Sequence, residues 1–335
     1  MYETEVAQDD VRGASARAWP RHWPLLLLAS AVLPGALLVV AGRWTDEPAV
    51  RAWQTVALAV TVQALPFLLL GTALSGAINA FVPASVFNRL LPKRPALAVP
   101  VAGAAGVVLP GCECASVPVA NSLIGRGVTP AAAFAFLLSA PAVNPIVLTA
   151  TAVAFPGSPE MVLARLLASL AAASLMGWLW LWRGREEWLR PAVRHTGHRP
   201  GGSRWAEFRD AFRHDFLHAG GFLVVGAMAA ASFNVAVPRS VLDTFADSPW
   251  LSVLFLAALA VLLAVCSEAD AFLAASLSGF SPTARLTFMV VGPMVDLKLI
   301  ALQAGTFGRA FAVRFSAATA VVAVLCSAVV GGILL

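Results

Sequence analysis

Nine stretches of mostly apolar residues alternate with shorter polar stretches along this 335-residue chain. Most approach the roughly 20 residues that a helix needs to cross the hydrocarbon core of a bilayer. The pattern predicts an all-α integral membrane protein with about nine hydrophobic segments. These segments are 25–42, 54–80, 97–124, 131–155, 161–182, 217–237, 250–279, 284–304 and 312–335.

Two of the nine segments, 97–124 and 250–279, are predicted to be broken and re-entrant. Pro110-Gly111 interrupts the first, because proline and glycine end or kink a helix. The flanking halves, 97–109 and 115–124, would be roughly 20 Å and 15 Å long. Neither crosses a hydrocarbon core of about 30 Å. Non-helical backbone at that depth needs cover from protein or from a water-filled cavity.

The two halves of the chain carry an internal repeat. Shifting the sequence by 152 residues aligns two stretches without a gap. The shift places Cys114 on Cys266, Gly127 on Gly279, Pro130 on Pro282, Phe136 on Phe288, Pro141 on Pro293 and Asn144 on Asp296. Six such matches in one register favour an internal duplication. The alternative is that helix-breaking residues recur at similar positions in two segments without common ancestry.

The loop charges indicate the direction of the repeats. The Arg-rich loop 183–216 is expected on the cytoplasmic side, where Lys and Arg accumulate. If all nine segments span, most other basic residues fall on the opposite side. If 97–124 and 250–279 are hairpins, most fall on the cytoplasmic side. The second arrangement inverts one repeat relative to the other, with the N-terminus inside and the C-terminus outside.

Composition supports this layout. The chain is 59% hydrophobic and 12% charged, with a mean hydropathy of +0.80, whereas soluble domains carry about 25% charged residues. The net charge of +5 does not indicate nucleic acid, because the basic residues flank hydrophobic segments. We expect a multi-pass protein of the bacterial plasma membrane. Its predicted parts are a cytoplasmic tail 1–24, an extra span and loop 25–53, a first repeat 54–182, a linker 183–216 and a second repeat 217–335.

Thiols and carboxylates interrupt the two broken segments. The first interruption contains Cys112, Glu113 and Cys114, and the second contains Cys266, Glu268 and Asp270. Such residues inside apolar segments usually mark a substrate or ion path. Thiolates select soft ions, so the sequence predicts a soft-metal or metalloid site with Cys112, Cys114 and Cys266 as ligands of the transported ion. The further predicted substrate-binding residues are Glu113, Glu268, Asp270 and Asn144. The alternative is two small thiols that pack a tight turn.

Further polar groups lie deep in later segments. Asp296 and Lys298 lie within 284–304. An unpaired charge there is costly, so we expect Lys298 to pair with Asp296, Asp270 or Glu268. Either one of these carboxylates carries a coupling proton, or the pair fixes helix register.

Asn144 is the repeat mate of Asp296 and lies beside Pro141 and Pro145. These prolines predict a break in 131–155. The carbonyls released by the break either face the substrate pathway or belong to a simple proline kink.

These motifs carry a family resemblance. The stretches PGCECASVPVANSLIGRGVTPAAAFAFLLSAPAVNPIVLTAT, CSEADAFLAASLSGFSP and VGPMVDLK resemble the ArsP-type predicted permeases, and within them the YcgR-like branch more than the YraQ-like branch. The resemblance covers about 55–335 and implies a multi-span permease. In the arsenical branch, cysteines carry exported trivalent organoarsenicals. Cys112 and Cys114 match the paired cysteines of the family, and Cys266 matches the cysteine of the second motif.

Glu113 departs from the YraQ-like pattern, which has a small residue between the paired cysteines. An acid there suits a cation, such as zinc, better than a neutral organoarsenical.

The leading functional hypothesis is a secondary permease that exports a soft metal ion or a metalloid or organoarsenical species. The chain has no Walker A pattern, so it does not use ATP itself. We expect no cofactor and no enzymatic activity. The alternatives are a membrane thiol oxidoreductase, which the absence of a CxxC pair disfavours, and a non-transporting component of a metal-handling complex. For both a permease and a non-transporting component, we expect the Arg-rich loop to bind anionic lipid or an accessory protein.

Overall fold

The computed structural model of the protein describes residues 48–83, 86, 91–92, 94–107, 113–189, 203–236 and 248–335. The predicted tail 1–24, the segment 25–42 and the middle of the linker lie outside the described residues. The chain divides into two compact units, Met1–Ala52 and Trp53–Leu335. All regular structure in the described part of the chain is helical, which confirms the all-α class.

Twelve α-helices make up the described part of the chain, and seven of them begin at a proline, whose fixed φ suits the first helical position. The first half contains α1 (Pro48–Phe81), α2 (Pro95–Ala105), α3 (Glu113–Gly125), α4 (Pro130–Val143), α5 (Pro145–Ala154) and α6 (Pro159–Arg183). The second half contains α7 (Arg204–Ala236), α8 (Pro249–Leu263), α9 (Asp270–Ser276), α10 (Pro282–Met294), α11 (Leu297–Thr306) and α12 (Arg309–Leu334).

Six helical stretches of the described chain are long and apolar enough to cross a membrane. Two of them, Pro130–Ala154 and Pro282–Thr306, are each a pair of half-helices, α4–α5 and α10–α11. Their most apolar windows are 83% buried inside the protein, against 28–44% for the other four. The two broken helices therefore form the interior, and the continuous helices surround them. The predicted count of nine segments is not confirmed by these six, and it stays a prediction.

The broken helices run in opposite directions. Near the start of α4, Phe134 packs against Phe307, which follows the end of α11, with ring centroids 5.4 Å apart. At the other end, the Arg285 guanidinium near the start of α10 lies 5.5 Å from the ring of Phe155, which follows α5. An inverted repeat requires this antiparallel arrangement. The inverted repeat itself stays a prediction.

Helix boundaries recur at the 152-residue shift. Pro130 and Pro282 begin α4 and α10, and Ala154 and Thr306 end α5 and α11. The predicted break near the prolines of 131–155 is confirmed, because α4 ends at Val143 and α5 begins two residues later. Each half of the chain therefore contains a buried helix that is interrupted at an equivalent position.

The short helices α2 and α3 enter and leave at the same end of the protein. Trp178, near the end of α6, donates a hydrogen bond from Nε1 to the carbonyl of Ala96 at the start of α2, at 2.8 Å. Trp180 of α6 packs edge-to-face on Phe134 of α4, at 4.9 Å, and α4 follows α3 after a four-residue connection. This is the geometry expected of a re-entrant pair.

The linker was predicted to be polar loop over 183–216, but helix α7 begins within it at Arg204. Trp205, Phe208, Phe212 and Phe216 recur every three or four residues, and adjacent rings pack 5.8–6.1 Å apart. The ring of Phe81 at the end of α1 packs on Trp205 at 5.4 Å. This aromatic stripe gives the Arg-rich segment an apolar face that packs on the end of α1, which stabilises it as a helix.

Candidate substrate site

Four short helices begin in the interior of the protein with polar groups at their first residues. Glu113 and Asp270 are the first residues of α3 and α9, and Asn144 and Asp296 precede the first residues of α5 and α11. A helix N-terminus carries partial positive charge, so an acidic side chain is favoured there. Breaking a buried helix therefore creates both the free backbone N–H groups and the place for a carboxylate.

Asn144 and Asp296 cap the second half of each broken helix. Asn144 Oδ1 accepts a hydrogen bond from the N–H of Val147 at 2.9 Å, and Asp296 Oδ1 accepts one from the N–H of Leu299 at 2.6 Å. Asn and Asp are strongly preferred at this position, because a side-chain oxygen satisfies a backbone N–H that has no helical partner. The two repeat mates thus have the same local role.

Lys298 is the centre of a fully buried ionic cluster. Its Nζ lies 2.9 Å from Glu113 Oε1 and 3.5 Å from Asp296 Oδ2. The same ammonium lies 3.9 Å from Cys266 Sγ. All three charged side chains are 0–1% exposed. Of the three partners predicted for Lys298, only Asp296 is within ion-pair distance. Glu113, which was predicted as a substrate ligand, is the nearer partner.

A second buried ion pair lies on the other side of the site. Arg165 of α6 binds Asp270 with both ends of its guanidinium, Nη1 to Oδ1 at 2.8 Å and Nη2 to Oδ2 at 2.7 Å. Its Nη1 also donates to Thr151 Oγ1 of α5 at 2.9 Å. Bidentate pairing fixes geometry as well as charge. Arg165 therefore connects α5 and α9. Both carboxylate oxygens of Asp270 already accept hydrogen bonds from Arg165.

The sequence interpretation missed Arg165 and its contact with Thr151. Arg165 lies inside the predicted segment 161–182, and no role was predicted for it. An ionisable residue within an apolar segment is a signal for a buried partner, and that signal was available. The identity of the partner was not, because Asp270 is 105 positions away.

Carboxylates outnumber cations in this buried region of the described chain. Glu268 is within electrostatic range of Glu113, Lys298 and Arg165, so the two ion pairs belong to one electrostatic site. The carboxylates are Glu113, Glu268, Asp270 and Asp296, and the cations are Lys298 and Arg165. Buried charges without counter-charges are costly, so this arrangement favours a bound cation or protons.

Three carboxylate oxygens of this cluster are buried without a hydrogen-bond partner: Glu113 Oε2, Glu268 Oε2 and Asp296 Oδ2. Most buried polar atoms in proteins do have a partner, and exceptions need a reason. Asp296 Oδ2 faces the ammonium at 3.5 Å without a hydrogen bond. These three oxygens are buried hydrogen-bond acceptors near Lys298 that receive no hydrogen bond.

The described cysteines of the two motifs both lie beside the ionic cluster. Cys114 and Cys266 are buried and are within electrostatic range of Lys298. Cys112, with Pro110 and Gly111, lies outside the described residues. Among the residues that the structure describes, no three His, Cys, Asp or Glu side chains are spaced to hold a metal ion. The predicted roles of Cys112, Cys114 and Cys266 as ligands stay predictions.

A separate polar network joins α1, α3 and α7. Ser75 Oγ donates to Asp215 Oδ2 at 2.7 Å and lies 2.8 Å from Ser122 Oγ. Asn79 Nδ2 donates to the same Ser122 oxygen at 2.6 Å. This network anchors the last turns of α3, while the first residue of α3 carries Glu113.

Helix α7 also contacts α11. A Cβ built on Gly226 would lie 2.6 Å from the Cα of Lys298, so the glycine allows the two backbones to pack closely. The His218 side chain, one helical turn from His214, contacts the carbonyl of Gly305 at 3.0 Å. Through α7, the position of Lys298 depends on contacts outside its own helix.

Comparisons with known proteins agree with this architecture. A family model described as a predicted permease, ArsP_1, matches residues 50–332. The UPF0718 protein YcgR of Bacillus subtilis is 34% identical over 259 residues, which cover 76% of this chain and 88% of the relative. A putative two-component membrane permease complex subunit of Streptococcus mutans is 30% identical over 280 residues, 82% of this chain and 93% of the relative. No solved structure matches.

Proposed function

Because the chain belongs to the ArsP-type predicted permease family, we propose that it is a secondary permease for a soft metal ion or a metalloid species. The substrate binds in the interior, between the broken helices, at the Cys and carboxylate groups around Lys298. The reaction is movement across the membrane with no chemical change. Efflux from the cytoplasm is the proposed direction.

One observation carries this proposal. Two thiol-bearing positions, Cys114 and Cys266, are buried beside a cluster with four carboxylates and two cations. Sulfur and oxygen donors together suit borderline and soft cations and thiol-binding metalloids. Broken helices that meet in the interior are a recurring arrangement in transporters, since the freed backbone groups and polar side chains serve the substrate.

The proposal includes an orientation and a partner. The loop after α6 is assigned to the cytoplasm because of its arginines, and the bacterial plasma membrane is the assigned location. The Streptococcus mutans relative is named as a subunit of a two-component membrane permease complex. We therefore propose that this chain also works with a second membrane subunit.

Flux measurements test the proposal. Everted membrane vesicles from expressing cells are incubated with cadmium, zinc, copper(I) or methylarsenite in the external medium. Uptake into these vesicles is compared with uptake into vesicles that lack the chain. The Cys114→Ser/Cys266→Ser protein should lose uptake of the transported species. Cys326→Ser is the matched control, because Cys326 is buried in α12.

Wild-type uptake that equals uptake by the Cys114→Ser/Cys266→Ser protein would reject the cysteine site. No uptake of any of the four species would reject the permease assignment for this substrate class. Uptake in vesicles that disappears in proteoliposomes of the purified chain would support a second subunit.

A further inference from the structure

We infer that the Lys298 ammonium is a tethered counter-cation that occupies the place of the transported ion, and that this ion is a divalent cation of borderline or soft character. The inference rests on the proposed permease function and narrows its substrate class. The inference is argued from the donor atoms that surround Nζ, and not from the presence of a buried lysine alone.

Three donor atoms of the kind that bind such a cation converge on Lys298 Nζ. Glu113 Oε1 lies at 2.9 Å, Asp296 Oδ2 at 3.5 Å and Cys266 Sγ at 3.9 Å. Two carboxylate oxygens and one sulfur are a ligand set that zinc and similar ions accept. In the described structure these three side chains are not spaced to hold a metal ion, and the ammonium occupies the point toward which they would close around one.

Unused acceptor atoms are the second observation. Glu113 Oε2 and Asp296 Oδ2 have no hydrogen-bond partner, and both side chains are 0% exposed. A lysine can neutralise only one of these two carboxylates. Buried carboxylate oxygens that accept no hydrogen bond, although one of them lies within ion-pair distance of Lys298, point to an additional or a replacement ligand.

Charge balance selects a divalent ion. Glu113 and Asp296 together carry two negative charges against the single charge of Lys298. A bound Cys266 adds a third negative charge, because the thiol releases its proton to solvent when it ligates a metal ion. A divalent ion and the displaced Lys298 ammonium together balance these three charges. A neutral metalloid adds no positive charge, so one of the two carboxylates would stay buried without a counter-charge, which is unfavourable.

Binding requires the ammonium to leave and the donors to close in. Zinc–oxygen and zinc–sulfur bonds measure about 2.0–2.3 Å, shorter than the distances to Nζ. Glu268 is within electrostatic range of Lys298 and has a buried oxygen without a hydrogen-bond partner. It is the group that accepts the displaced ammonium, so the lysine stays paired in both states.

Cadmium binding to the purified full chain tests the inference. Wild type is compared with Lys298→Met, which has an unbranched side chain one atom shorter than that of lysine and carries no charge. Cadmium should bind at least tenfold more tightly to Lys298→Met, because the internal competitor is gone. Arg285→Met is the matched control. It removes a cation from α10 at the end of the protein and should leave the affinity unchanged. Equal or weaker binding by Lys298→Met would overturn the inference.

Amine labelling gives a readout that does not need a charge-removing variant. The chain has two lysines, Lys93 and Lys298, so a Lys93→Arg protein carries one lysine side chain. Reductive methylation followed by peptide mass spectrometry then reports on Lys298. Cadmium should increase labelling several-fold, since the displaced ammonium moves from a fully buried position to Glu268, which is only partly buried. Unchanged or reduced labelling with cadmium bound would contradict displacement.

These measurements separate the inference from the transport proposal. Tighter cadmium binding by Lys298→Met without flux in any vesicle would sustain the tethered cation and reject the permease function. Flux by wild type, together with unchanged binding in Lys298→Met, would sustain the permease and reject the tethered cation.

Discussion

Asn144 and Asp296 perform the same backbone task at equivalent breaks in two antiparallel helices, yet only Asp296 brings a charge. The side-chain oxygen of each accepts a hydrogen bond from the N–H three residues later, at 2.9 Å and 2.6 Å. Asp296 Oδ2 also lies 3.5 Å from Lys298 Nζ. Helix capping therefore explains why a side-chain oxygen is present at both positions. The charge of Asp296 has a separate role, because it pairs with Lys298 in the ionic cluster.

This difference gives the first prediction. Asp296→Asn should fold with a stability close to that of wild type, because Asn caps a helix about as well as Asp. Its uptake of substrate should fall at least tenfold, because the charge beside Lys298 is lost. Thermal unfolding in detergent and vesicle flux measure the two effects.

Asn144→Ala is the counterpart that removes a cap without a charge. It should lose about 1 kcal/mol of stability, and Asp296→Ala should be about 1 kcal/mol less stable than Asp296→Asn for the same reason. Wild-type flux in Asp296→Asn would show that the carboxylate has no part in transport.

The pairing of Arg165 with Asp270 gives the second prediction. Arg165→Met should destabilise the protein by about 3–5 kcal/mol, because Asp270 would be left buried without its counter-charge. Arg165→Lys should be intermediate, since lysine keeps the charge but cannot form the bidentate contact. Unfolding midpoints in detergent provide the comparison.

Arg165→Met/Asp270→Leu should recover much of the lost stability, because both charges are removed together. A double variant as unstable as Arg165→Met would mean that the guanidinium stabilises the fold chiefly through Thr151 or its packing, and not through Asp270.

The close approach of α7 to α11 gives the third prediction. Gly226→Ala places a methyl group 2.6 Å from the Cα of Lys298, so the helices must separate, and both stability and substrate binding should decrease. Gly221→Ala on the same helix meets nothing within 4 Å. That control should be neutral or more stable by up to about 1 kcal/mol, because alanine favours helix. If both variants behaved alike in unfolding and binding assays, the contact with α11 would be unimportant.

The proposed orientation gives the fourth prediction. Ser158 and Ser203 flank the spanning helix α6, so they should face opposite sides of the membrane. In a chain whose four native cysteines are replaced by serine, Ser158→Cys should react with an impermeant maleimide in intact cells. Ser203→Cys should react only after permeabilisation. The reverse pattern would invert the assigned topology, and labelling of both in intact cells would contradict α6 as a span.

The sequence alone determined the class of the protein and the places where its helices break. Apolar length and low charge required a membrane protein, and the prolines beside Asn144 and the match between Pro130 and Pro282 located the interrupted helices. These signals are local, because hydrophobicity, proline geometry and capping act within a few residues. The polar residues within apolar segments identified Asp296 and Lys298 as buried groups in need of partners, and Glu113 as a predicted substrate ligand.

Only the tertiary structure decided which partners those groups have. Glu113 and Lys298 are 185 positions apart, and Arg165 and Asp270 are 105 apart. Nothing in the spacing along the chain indicates such pairs. They form because two broken helices pack in opposite directions, and the starts of α3, α9 and α11 come together in a buried space. There, charges that are unfavourable alone are stabilised by pairing.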